Sequence, residues 1–105
     1  MNSLNSIILE GTVTEKPVRE NRENVVALKF PVNVKRYYKN TDNENVEESY
    51  RFNVETYNQM ADFTEPKLKE PGRGIRVVGR LKEVNGNVFV VAEHIEFKPM
   101  IKKTN

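Results

Sequence analysis

At 105 residues, 37% of them hydrophobic, the chain has the length of one domain and enough apolar material for one core. Its 17 basic and 15 acidic residues leave a formal charge of +2, so a polyanionic partner must be argued from where the cations stand and not from their number. With no cysteine there can be no disulfide, thiolate zinc site or cysteine nucleophile, and the longest apolar runs, such as Val88 to Ala92, are far too short to span a membrane.

The N-terminus lacks the basic-then-apolar layout of a signal peptide, so a soluble cytoplasmic protein is expected. The first strand is predicted over residues 5 to 14, where Ile7, Leu9, Gly11 and Val13 alternate with Ile8, Glu10 and Thr12, and Lys16-Pro17 ends it. A polar loop through Asn21 and Asn24 is expected next. The second strand runs from Val26 to about Tyr38. Val26, Leu28, Phe30, Val32 and Val34 form its hidden side, while Lys29, Asn33, Lys35 and Tyr37 point the other way. An open face of cations beside a phenol ring offers what a flexible nucleic-acid strand uses, which is charge for phosphate and a flat surface for bases.

Residues 40 to 48, rich in Asn and acidic groups, read as a long mobile loop. The third strand then puts Tyr50, Phe52, Val54 and Thr56 on the hidden side and Arg51, Asn53, Glu55 and Tyr57 on the open one. Between Asn58 and Lys69 the apolar spacing lengthens through Met60, Ala61, Phe63 and Leu68, as in a short helix ended by Pro66. Gly74 to Glu83 and Val88 to Phe97 form a final hairpin about Asn85-Gly86. A tight turn there would mix Phe89 and Val91 with Arg80 and Lys82. A three-residue loop with a bulge at Gly86 is therefore expected, aligning Phe89, Val91 and Ile95 with Leu81, Val77 and Ile75, although it buries Glu93. The order predicts an all-β protein, a five-stranded Greek-key OB-fold barrel with a short helix between its third and fourth strands. Residues 1–98 would form this domain and 99–105, with Lys102 and Lys103, a flexible basic tail.

Over residues 5 to 98 the chain resembles bacterial single-stranded DNA-binding proteins (SSBs). The likeness rests on Asn5-Ser6-Ile7-Ile8-Leu9-Glu10-Gly11, Val32-Asn33-Val34-Lys35-Arg36-Tyr37, Tyr57-Asn58-Gln59-Met60-Ala61-Asp62 and Val78-Gly79-Arg80-Leu81. In that family an aromatic at the start of the third of these segments stacks on bases, the place of Tyr57, and Tyr37 matches a second one. The resemblance implies binding of single-stranded DNA during replication, recombination or repair, on a bacterial nucleoid, by a dimer or tetramer. Self-association through the first strand, which exposes Ile8, is expected. Three features depart from the family: Arg51 stands where a stacking aromatic is common, the last hairpin is tight where a long loop is usual, and, with Lys102 and Lys103 near the end, no acidic C-terminal tail for enzyme recruitment is expected. Leu9-Glu10-Gly11-Thr12-Val13 and Ala92-Glu93-His94-Ile95-Glu96 also resemble the dimeric primosomal replication protein of restart.

The expected DNA-binding residues are Lys29, Asn33, Lys35, Arg36, Tyr37, Tyr38, Arg51, Asn53, Tyr57, Arg76 and Arg80. No catalytic residue, cofactor or metal is expected. A lone His94 has no partner type for a metal site, no serine lies in a nucleophile elbow, and Gly72-Arg73-Gly74 lacks the ending of a phosphate loop. Two other functions remain to be tested against this one: a protein-binding OB module, and a metal-dependent nuclease using Asp42, Glu44, Glu47 and Glu48, which more simply solvate their loop.

Overall fold

The computed structural model describes residues 2–100. Its strands are β1 (Ile7–Val13), β2 (Val18–Arg22), β3 (Val25–Lys39), β4 (Asn45–Tyr57), β5 (Arg73–Val84) and β6 (Asn87–Phe97), with helix α1 (Asn58–Thr64) and a 3-10 turn (Glu65–Leu68) between β4 and β5. Pairing runs β1-β5-β6-β4-β3-β2, and a further β1–β3 pairing closes β1, β5, β6, β4 and β3 into the five-stranded barrel the sequence predicts. Two closures are short. Thr12 pairs with Asn33 between β1 and β3, and β4 runs parallel to β6 only at Val54–Val90 and Glu55–Val91. Gly11 permits the first closure, because a Cβ there would stand 2.3 Å from the Asn33 carbonyl oxygen.

Alternation on β3 produces the core. Leu28, Phe30 and Val32 are buried with Val13, Val54, Ile75, Val77, Val90 and Ile95, and Ala61 and Leu68 plug one end from α1 and the 3-10 turn. Each such large side chain contributes about 1.5–3 kcal/mol by leaving water.

The structure corrects the sequence reading in five places. The polar segment expected as a loop is β2, which pairs with the first part of β3 through a two-residue turn with Asn24 at φ 64°. It has no apolar period because ion pairs secure it: Arg19 to Asp62 and Glu65, and Arg22 to Glu20 and Glu55. The long loop at residues 40–48 contracts to Asn40–Glu44, where Asn40 Oδ1 accepts the Asp42 and Glu44 amides. Tyr50 and Phe52 share the face of Val54 and Thr56 as expected, yet they are exposed, because β3 and β4 run on beyond the barrel and that face loses its cover. Phe63 also lies on the surface, edge-on to Phe97 with Lys67 Nζ 3.8 Å from its ring centre.

The fifth correction is the register of the last hairpin. Asn85 and Gly86 both have positive φ, so the turn is the tight two-residue form, with Val84 opposite Asn87 and Lys82 opposite Phe89. The slip occurs further in, between Val78 and Gly79, where β6 carries Glu93 as the extra residue. Below it Val77 pairs with Ile95, which puts Ile95 on the side of Val77 and Ile75 as expected, and Glu93 points to solvent instead of into the core. The tail expected over 99–105 falls, from 101 onward, outside the described residues.

Candidate nucleic-acid interface

The open face of the β3–β4 ladder can be read from its register. From one end to the other the facing pairs are Ala27–Tyr57, Lys29–Glu55, Pro31–Asn53, Asn33–Arg51, Lys35–Ser49 and Tyr37–Glu47. Tyr57 and Tyr37 therefore stand on one face, ten strand positions apart along β3, or about 33 Å. Tyr37 is exposed. Tyr57 is half-buried, and its hydroxyl donates to Glu55 at 2.5 Å; burial first, and this bond second, push its phenol up to about 12.

A groove of about 810 Å³ covers the Tyr57 half of this face. Lys29, Arg51, Asn53, Glu55 and Tyr57 line it together with Arg22 of β2, Glu15 and Lys16 of the β1–β2 connector, and Lys82 and Asn85 to Phe89 from the tip of the last hairpin. A second hollow of about 570 Å³ lies at the other half, between Tyr37, Lys35, Asn33 and Ser49 on one side and Thr12, Thr14 and Lys98 on the other. The tight Asn-Gly hairpin thus forms a wall of the groove despite its short loop.

Carboxylates accompany most of the cations. Lys29 Nζ is 3.4 Å from Glu20 and 3.7 Å from Glu55, Lys35 is 3.4 Å from Glu47, and Arg51 is 2.5 Å from Glu15. Glu55 is the buried member, held also by Arg22 at 3.1 Å. Arg22 holds Glu20 below the usual carboxylate range, with help from Lys29. The pairs made by Glu15, Glu20 and Glu47 are solvated and worth about 0–1 kcal/mol each, so an incoming phosphate can exchange with those carboxylates at little net loss.

Of the expected residues, Lys29, Asn33, Lys35, Tyr37, Arg51, Asn53 and Tyr57 come together on the open face. Arg36 and Tyr38 do not: period two turns them to the reverse face, where the Arg36 guanidinium sits 4.7 Å from the Tyr38 ring centre. There the Tyr38 hydroxyl donates to Glu48 at 2.8 Å, the Tyr50 hydroxyl donates to the same carboxylate, and Glu48 is lowered by both. Arg76 lies on the outer side of β5, engaged with Glu10 at 3.0 Å and Glu96 at 3.7 Å. Arg80 shares a hairpin face with Lys82, next to the groove lining but not in it. What the sequence reading missed were the carboxylates Glu15, Glu20 and Glu47 and the hairpin tip with Phe89. Counting pairs outward from the β3–β4 turn would have put Glu47 on this face; Glu15 and Phe89 come from segments that only the closed barrel brings near. Among the described residues, no three of His, Asp and Glu gather as a metal site.

The model of the single-strand binding protein family matches residues 4–88 of the chain. No curated protein sequence matches it. The structure is similar to the wild-type single-stranded DNA binding protein from Thermus aquaticus (25% identity, TM-score 0.76, 91% of this chain and 50% of that one). It is also similar to the Plasmodium falciparum SSB solved in complex with ssDNA (19%, 0.77, 94% and 98%) and to the small single-stranded DNA-binding protein from Streptomyces coelicolor (24%, 0.71, 93% and 96%). The chain thus spans about half of the Thermus chain and nearly all of the other two.

Proposed function

The chain belongs to the single-strand binding protein family, and from that premise we propose that residues 1–98 bind single-stranded DNA with little sequence preference and without catalysis, along the open face of β3 and β4. One observation carries the reading: Tyr57 and Tyr37 mark the two ends of a single sheet face whose intervening positions include Lys29, Lys35 and Arg51. Bases stack on the two rings, phosphates exchange with the carboxylates on the three cations, and Asn33 and Asn53 supply neutral hydrogen-bonding groups between them. Nothing on this face presents a rigid donor and acceptor pattern matched to one base, which favours tolerance of sequence. The setting that goes with this reading is bacterial DNA replication, recombination or repair in the cytoplasm. No helix among the described residues is long and apolar enough to cross a membrane.

Titrating labelled oligothymidylate, a duplex of equal length and the corresponding RNA at two salt concentrations tests the proposal. Single strands should bind more tightly than duplex, with a log-log salt slope of about 2 or less, since three cations contribute about 0.7 each and already hold carboxylates. Tyr57→Ala should weaken binding about tenfold or more, as the range for one base-aromatic stack requires from its lower half upward, while Tyr57→Phe keeps most of the affinity. A protein-binding module would shift none of the oligonucleotides, and a nuclease would shorten them when magnesium is added. Either outcome replaces this reading.

A further inference from the structure

The Asn33–Arg51 pair in the middle of the open face is gripped by two consecutive residues of the β1–β2 connector. Asn33 Nδ2 donates to Thr14 Oγ1 at 2.8 Å, and Arg51 forms its ion pair with Glu15 at 2.5 Å. The connector follows the edge of β3 that faces away from β4, because Thr12 pairs with Asn33 and Val18 with Lys29. Arg51 stands on β4, so the ion pair must span β3 and cross the face. The 810 Å³ groove with Tyr57 lies on one side of this crossing and the 570 Å³ hollow with Tyr37 on the other. Arg51 and Glu15 side chains are 57% and 48% exposed, which makes the bridge a solvated one that opens readily.

We propose that Glu15 is a latch across the binding face, a determinant of how long a strand the protein accepts. Its carboxylate occupies on Arg51 the place a phosphate would take. An oligonucleotide confined to the Tyr57 side leaves the bridge closed; one that reaches Tyr37 must lift Arg51 from Glu15. The cost of opening the Arg51–Glu15 bridge thereby falls on strands long enough to cross it and not on those confined to one side. The latch rests on the single-stranded DNA reading given above and adds to it a residue whose effect is inhibitory.

Oligothymidylates of about 4 and about 16 nucleotides, the two ends of the site sizes of one OB barrel, separate the cases. Their affinities are measured by fluorescence anisotropy for the wild type, Glu15→Gln, Arg51→Ala and the double variant. Glu15→Gln should raise the ratio of long-strand to short-strand affinity by about fivefold, the upper reach of a solvated ion pair, and should leave that ratio unchanged in the Arg51→Ala background. A ratio unchanged by Glu15→Gln overturns the latch, as does a rise of the same size without Arg51, which would assign the effect to the loss of a negative charge in general. Wild-type protein that binds neither oligonucleotide defeats the single-stranded DNA reading itself, whereas binding with an unaltered ratio defeats the latch alone. Both side chains lie outside the core, and matching unfolding midpoints verify that the variants are folded.

Discussion

Tyr57 combines a ring that faces the groove with a hydroxyl committed to Glu55, and the second role has a pH signature. The folded protein keeps this phenol neutral up to about 12, against an ordinary value of 10.0. A group whose pKa is raised by folding lends stability that is complete below its unfolded value and is lost as pH climbs through the folded one. Stability should therefore fall between about pH 10 and 12, and phenolate absorbance should show a late ionisation near 12 that vanishes in Tyr57→Phe. Persistence of that late step in the variant would move the assignment to another tyrosine. At this scale the sequence was informative about which residues matter and less so about their partners. Tyr37, Tyr57, Lys29, Lys35 and Arg51 follow from strand alternation alone, because period two needs no knowledge of the rest of the fold. Arg36 and Tyr38 are neighbours of Tyr37 in the chain but lie on the reverse face, because period two separates adjacent residues.

Among the elements, the β5–β6 hairpin shows how a local rule can succeed at its own site and still fail to set the pairing of a whole strand. Asn85-Gly86 makes the tight turn its dipeptide favours, and the mixing of Phe89 with Lys82 that argued against it is tolerated because the tip projects past the core as a groove wall. The register is corrected only where the strands enter the barrel, at a bulge beside Gly79. A Cβ on Gly79 would lie 1.9 Å from the Val91 carbonyl oxygen, so the backbones must separate to admit it. Gly79→Ala should lower stability by about 3 kcal/mol, read from denaturant midpoints, the upper part of the range for overpacking. A loss below about 1 kcal/mol would mean that the bulge relocates. Strand β2 was illegible for the opposite reason: its sequence, Val18-Arg-Glu-Asn-Arg22, has no apolar face to bury, and its place is set by β3 and by carboxylates on α1, the 3-10 turn and β4.

Across the whole molecule, the Cα radius of gyration of 15.8 Å exceeds the roughly 13 Å of a compact domain of this length. Two hairpins extend beyond the barrel, and the overhang of β3 and β4 leaves Tyr50 and Phe52, in step with the core, at the surface. The strand β1 adds an unfinished edge: β5 pairs all of it, but β3 meets it only at Thr12, and Ile8 is 72% exposed. An open edge flanked by an exposed apolar side chain favours association with another copy. Light scattering at micromolar concentration should give the mass of a dimer or tetramer, and Ile8→Lys should shift it toward the monomer; a wild-type monomer would refute association. Fold class was readable at this scale because element order survives errors in individual boundaries. The pairing of β1 to β3 was not, since closure is a property of how distant strands meet.

Both closures of the barrel are brief, a single residue pair between β1 and β3 and two pairs between β4 and β6, while the ladders on either side run the length of their strands. Mechanically the cylinder is two stiff antiparallel blankets, β2-β3-β4 and β1-β5-β6, basted together along narrow seams and by the oil between them. Loosening a seam sacrifices few amide bonds. The same barrel can thus breathe in girth without unravelling either blanket.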